Sequence, residues 1–232
     1  NGFIMFLAIV LIAVFPSMFF RNQGVAYWDE FAEIFGIAFI LLGQILRASS
    51  RGYKAEYSQN GHTLIQGGPY ALVRNPMYLG ILSIGLGIVL MLFNWWVALI
   101  FLCIFISRYL VLIFKEEKKL LVMFPGVYRD YQHRVARIIP SLAIVEKKDM
   151  AEYLPLKLPW LKKEIGSILA VLLIVLFLET WEDVKSEGFR IYLREAMLSL
   201  SVIILFIFLI IYLIKRTNAQ QKDASNKGKN TL

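Results

Sequence analysis

The 232-residue chain has one cysteine, two histidines and few charges. One cysteine, Cys103, cannot form a disulfide framework or a cysteine-based metal site within a chain. His62 and His133 lie far apart without a clear ligand set, so no metal site is expected. Charged residues make up 18% of the chain and apolar residues 58%, against about 25% and about 45–50% in a typical soluble domain. A soluble globular domain and a disordered chain are both poor fits. No internal repeat or pair of broken apolar segments points to a transporter. No charged segment precedes the first apolar run, so an uncleaved first span is expected rather than a signal peptide. The polar tail, residues 218–232, has no C-terminal prenylation box.

What remains is long apolar runs. Six approach the roughly 20 residues that cross a bilayer: about 3–20, 31–46, 77–93, 95–114, 165–178 and 196–214. Asn94 alone separates the third and fourth, with Trp95 and Trp96 beside it, which reads as a tight hairpin with interfacial aromatic anchors. Ala32/Gly36 and Ser83/Gly87 are small residues four apart, a spacing that lets membrane helices approach closely. The expected fold is all-α: a polytopic membrane helix bundle of about six transmembrane helices. It divides into N-terminal helices with a loop (1–60), a core (61–140), an amphipathic linker (141–164), a C-terminal hairpin (165–214) and a disordered tail (215–232).

Charge orients the bundle. Segments 47–76, 115–164 and 215–232 hold 20 of the 25 Lys and Arg and nine acids, a net +11. Segments 21–33, 94 and 179–195 hold four basic residues and eight acids, a net −4. Arg108 lies within a span. By the positive-inside rule the basic side is cytoplasmic, with both termini on it. The +8 total is then a mark of orientation and not of nucleic-acid binding, for which no reading motif is present.

Two polar clusters fall on the basic side. In the first, Gly67, Gly68 and Pro69 mark a turn; Arg74 and Asn75 then precede Pro76 and Tyr78 at the start of the third span. Proline suits a first helical turn, whose free N–H groups favour a carboxylate or phosphate. The plain alternative is a turn with an interfacial Arg and Tyr. The second cluster begins where Arg108, Leu112 and Glu116 share one face of the fourth span, with Glu117 adjacent. The plain alternative there is a solvated face paired with Lys115, Lys118 and Lys119. Arg108 lies where charge is costly and usually faces an interior cavity, unless it snorkels. Together the clusters form a sensible pocket for a small zwitterion.

The stretch from His62 to Pro140 resembles the isoprenylcysteine carboxyl methyltransferase and phospholipid methyltransferase superfamily. The resemblance rests on HTL (62–64), GPYALVRNPMYLG (68–80), Asn94, EEKKLL (116–121) and F-P-x-x-Y-x-x-Y-x-x-x-V-x-R-x-x-P (124–140). It implies an integral membrane methyltransferase that uses S-adenosyl-L-methionine from a cytosolic pocket, with a lipophilic acceptor entering from the bilayer. It also implies cofactor contacts at His62, Leu64, Tyr70, Arg74, Asn75, Pro76, Tyr78, Glu116 and Glu117. Tyr128, Tyr131 and Arg137 are then expected to cover the cofactor. Asn75 stands where many relatives have His, and Pro125 replaces a usual Gly. Leu112 stands where isoprenylcysteine enzymes carry an Arg for the acceptor carboxylate. Leu cannot do that, and Arg108, one turn earlier, is the candidate substitute.

Arg108, orienting the acceptor, and Glu117, accepting a proton if the acceptor is an amine, are the expected catalytic residues. The acceptor is expected to be a prenylcysteine-like carboxylate or similar. The alternatives are a phospholipid or amine N-methyltransferase, or a transporter or lipid-binding scaffold without catalysis.

Overall fold

The computed structural model describes residues 14–21, 27–58, 63–140, 150–171, 201, 204–220 and 222. All regular structure among them is helical; the only β pairing there is an isolated bridge, Phe20 to Phe93. The helices are α1 (Pro16–Phe19), α2 (Tyr27–Tyr57), α3 (Pro69–Leu72), α4 (Pro76–Leu92), α5 (Trp95–Met123), α6 (Pro125–Arg134) and α7 (Met150–Tyr153). Residues 158–171 and 204–220 are also helical.

Two helices are long and apolar enough to cross a membrane, Phe31–Tyr57 and Trp95–Met123, and Pro76–Leu92 is a shorter apolar helix. In α5 the most apolar window has mean hydropathy 2.6, yet only 11% of it is buried. A soluble protein does not leave so continuous an apolar surface in water, so the chain is a membrane protein. Of the six expected spans, most of the first, the end of the fifth and the start of the sixth lie outside the described residues.

The hairpin forms at Asn94. Its Nδ2 donates to the carbonyls of Met18, at 3.0 Å, and Phe20, at 3.1 Å, tying α1 to the turn. Helices α2 and α4 run antiparallel along a glycine seam. A Cβ on Gly36 would lie 2.8 Å from the Gly87 carbonyl oxygen, and one on Gly43 2.7 Å from that of Gly80. Gly36 and Gly87 were both anticipated as contact residues, but their partners in the seam stand seven residues along, at Gly43 and Gly80. Two turns of antiparallel helix separate the points where the backbones touch. Ser83 instead returns its hydroxyl to Leu79 O within its own helix. Ile37, Ile40, Leu41, Met91 and Leu92 form the core beside the seam.

Helix α2 continues about three turns beyond the expected span end at Leu46. Its polar extension is covered by later chain. Glu164, 4% exposed, pairs with Arg51 at 2.8 Å and Arg47 at 3.7 Å. Ser49 Oγ donates to Pro155 O at 2.6 Å. Ile45 and Ala48 pack with Leu156 and Leu213, and Thr217 Oγ1 accepts from Leu156 N at 3.1 Å. Partners from 155–171 let these polar residues stay helical and buried.

Candidate functional site

The loop between α2 and α4 is built for a sharp reversal. Gly68 has φ 57, a left-handed conformation that glycine adopts without steric cost. Pro69 and Pro76 then open α3 and α4 from their first turns, where a missing N–H costs nothing. Between them Val73 is fully buried.

Residues 125–137 fold back over this loop. Arg74 N donates to Ala136 O at 2.8 Å, and Asn75 Nδ2 to Arg137 O at 3.1 Å. Tyr131 donates its hydroxyl to Tyr70 O at 2.6 Å. Tyr128 and Tyr131 are both buried. Burial, then the neighbouring Tyr128 and Tyr70, raise the Tyr131 phenol well above its ordinary value. Burial, then the charge of Glu116, does the same for Tyr70. Both phenols therefore stay protonated and serve as hydrogen-bonding groups, not bases.

At the centre lies Glu117, 4% exposed. Arg137 grips it with both arms of its fork, Nε to Oε1 at 3.2 Å and Nη2 to Oε2 at 3.0 Å. Arg74 Nη1 stands 3.0 Å from Oε1. Two guanidinium groups thus share one carboxylate, the planar geometry that arginine favours. The Arg137 guanidinium also sits over the Phe114 ring at 4.6 Å. Arg74 is nine-tenths buried; its Nη1 is ion-paired with Glu117, and its Nε has no hydrogen-bond acceptor. Buried guanidinium donors are rarely left without an acceptor, so this side chain has capacity for a further anionic group.

Glu116 and Glu117 differ sharply. Glu116 is exposed and hydrogen-bonds the Tyr78 hydroxyl. Tyr78 meets Tyr109 edge-on at 5.2 Å, and Tyr109 stacks on Phe105 at 4.0 Å. Helical phase separates the two carboxylates: Ile113 and Glu117 share the buried side of α5, whereas Arg108, Leu112 and Glu116 lie on an exposed side.

The structure therefore brings together Tyr70, Arg74, Asn75, Pro76, Tyr78, Glu116 and Glu117 at one end of α4 and α5. Leu64 is half-buried on the approach to this loop. Arg108 is exposed about two turns along α5 from Glu116. His62 lies outside the described residues. No group of three potential metal ligands occurs among the described residues. Sequence reasoning missed the direct Arg74–Glu117–Arg137 contact. Its only signal was the phase of Glu117, four residues after Ile113, and in a helix apolar all round that phase is silent.

A family model described as phospholipid methyltransferase matches residues 31–125. No curated protein and no solved structure matches the chain. The match runs from α2 to the first residue of α6 and contains both halves of the site, the Gly68–Tyr78 loop and the glutamate pair. Residues 31–125 are thus similar to the phospholipid methyltransferase family, whose members are methyltransferases, within the isoprenylcysteine carboxyl methyltransferase-like superfamily.

Proposed function

We propose that the protein is an integral membrane methyltransferase that uses S-adenosyl-L-methionine at the basic, cytoplasmic end of its bundle and methylates a lipophilic acceptor arriving from the bilayer. One observation carries this reading. Arg74 and Glu117, both inside the family-matched segment, meet at 3.0 Å, and the buried Arg74 guanidinium keeps its Nε without an acceptor.

The donor set fits the cofactor. Arg74 receives its carboxylate, and Glu116 accepts from its amino group or ribose hydroxyls. Glu117 anchors Arg74 through Nη1 and, through Arg137, fastens the 135–137 segment across the loop. The bound cofactor supplies an electrophilic methyl group on a sulfonium. The protein's task is to align the acceptor's electron pair with that carbon and exclude water. A carboxylate against the sulfur would stabilise the charged ground state more than the transition state, so Glu116 belongs away from it. With an amine acceptor a proton must leave. In this reading Glu116 accepts it, because both Glu117 oxygens already face arginines. With a carboxylate acceptor no base is needed, and Arg108 orients it. The family match supports a phospholipid amine as acceptor equally well.

Binding of radiolabelled S-adenosyl-L-methionine to detergent-solubilised protein tests the reading. Wild type is expected to bind, and Arg74→Ala to lose on the order of 2 kcal/mol or more of affinity, the scale of one charge-assisted hydrogen-bonded contact. No specific binding by wild type would remove the enzyme reading. Incubation with total membrane lipid and methyl-labelled cofactor then identifies the acceptor: base releases label from a methyl ester but not from a methylated amine.

A further inference from the structure

The family match ends at residue 125, yet the turn that opens the candidate site leans, through Tyr53, on a residue beyond it, Trp160. The Tyr53 ring fills the space beside Gly67 and Gly68. A Cβ on Gly68 would lie 2.7 Å from Tyr53 Cε2, and one on Gly67 2.6 Å from its hydroxyl oxygen. Tyr53 has Tyr57 at 4.4 Å on one side and Trp160, edge-on, at 6.4 Å on the other. Trp160 is 6% exposed. It packs over Gly52, where a Cβ would come within 2.2 Å of its ring, and its indole N–H donates to Glu56 Oε2 at 3.2 Å. Glu56 Oε1 also accepts from Lys157 Nζ at 2.5 Å. Helix α7 packs against α3.

We propose that Trp160 and Tyr53 are positioning residues for the candidate cofactor site. The indole holds the tyrosine ring against the Gly67–Gly68 turn, which fixes the start of α3 and therefore Tyr70. Two adjacent glycines have the widest conformational freedom of any dipeptide. The turn's own backbone bonds are few, Tyr70 N to Gly67 O at 3.2 Å and Ala71 N to Gly68 O at 2.9 Å. An aromatic wall supplies the restraint that the glycines lack. Part of the site's order thus comes from residues 150–160, outside the family-matched segment. The inference rests on the cofactor-site reading above.

The experiment has two readouts: amide hydrogen exchange of residues 65–75 in cofactor-free protein, and binding of labelled S-adenosyl-L-methionine. Trp160→Ala is expected to speed exchange there about tenfold, as a local opening loses its restraint. It should weaken cofactor binding by about tenfold through lost pre-organisation. Trp160→Phe, which keeps a ring, should recover most of both. Thr217→Val loosens the same docked region at Leu156 without touching Tyr53, and should lower Tm while leaving both readouts near wild type. If Trp160→Ala does not fold, Tyr53→Leu tests the same wall. Wild-type exchange and affinity in a folded Trp160→Ala or Tyr53→Leu protein would overturn the proposal. Faster exchange in a protein whose wild type binds no cofactor would uphold the brace and overturn the functional reading instead.

Discussion

The α2–α4 seam and the Glu117 cluster hold the same helices by opposite means. In the seam, four glycines bring backbones together, and no polar side chain is needed. Lipid is as apolar as any leucine, so helices in a membrane gain from close van der Waals approach. At the end of α4 and α5, a carboxylate and two guanidinium groups carry the contact, reinforced by Tyr131 and Asn75. Buried charges are weak evidence for stability but specify position. The seam therefore sets how close the helices lie, while the charged cluster fixes where the site residues stand.

Breaking the seam should have the largest effect. Gly87→Leu places a Cβ 2.5 Å from the Gly36 carbonyl oxygen, and backbone cannot yield as a flexible side chain can. The expected result is loss of monodisperse folded protein in detergent, seen by size exclusion and thermal unfolding. A Gly87→Leu protein with wild-type Tm would mean that the backbones do not touch. The cluster should fail differently. Glu117→Gln leaves two guanidinium groups against a neutral amide, and breaking such a buried pair costs about 3–5 kcal/mol. Cofactor binding should fall with stability, because Arg74 loses its anchor. Unchanged Tm with lost turnover would instead return Glu117 to a proton-transfer role.

The two regions were not equally legible in the sequence. The apolar runs, the Asn94 hairpin and the prolines opening α3 and α4 could be read directly, because each expresses a local rule. Gly36 and Gly87 could be picked out, but their seven-residue spacing to Gly43 and Gly80 depends on the crossing of two helices. The clustering of Arg74 and Asn75 with the glutamates was legible as a family pattern. Which glutamate turns inward was not, since the two turns of α5 before the pair, residues 109–114, are apolar on every face. The docking of 155–171 on α2 was hidden for a related reason. A segment with Lys157, Lys162 and Lys163 reads as a solvated linker, and only tertiary contact shows Leu156 and Trp160 buried and Glu164 paired.

Smaller changes should grade the cluster itself. Arg137→Lys keeps the charge but loses the two-armed fork. With Arg137 about one-third exposed, the expected cost is under about 1 kcal/mol. Tyr131→Phe removes the donor to Tyr70 O and should cost about 1 kcal/mol. It also carries a pH signature. Burial raises the Tyr70 and Tyr131 phenols above their ordinary 10.0 in the folded protein. The unfolded chain therefore releases these protons first as pH rises. Stability from this source is fully present below pH 10 and is lost as pH climbs from there towards the folded values. Tm in detergent should fall with pH above about 10, and Tyr131→Phe should fall less steeply than wild type because one of the two phenols is gone. Equal slopes for the two proteins would mean that the Tyr131 hydroxyl is solvated and that α6 does not clamp the loop. A shallower slope would place the phenol where the Tyr70 carbonyl holds it, on the charged side of the contrast with the glycine seam, which has no titrating group to respond.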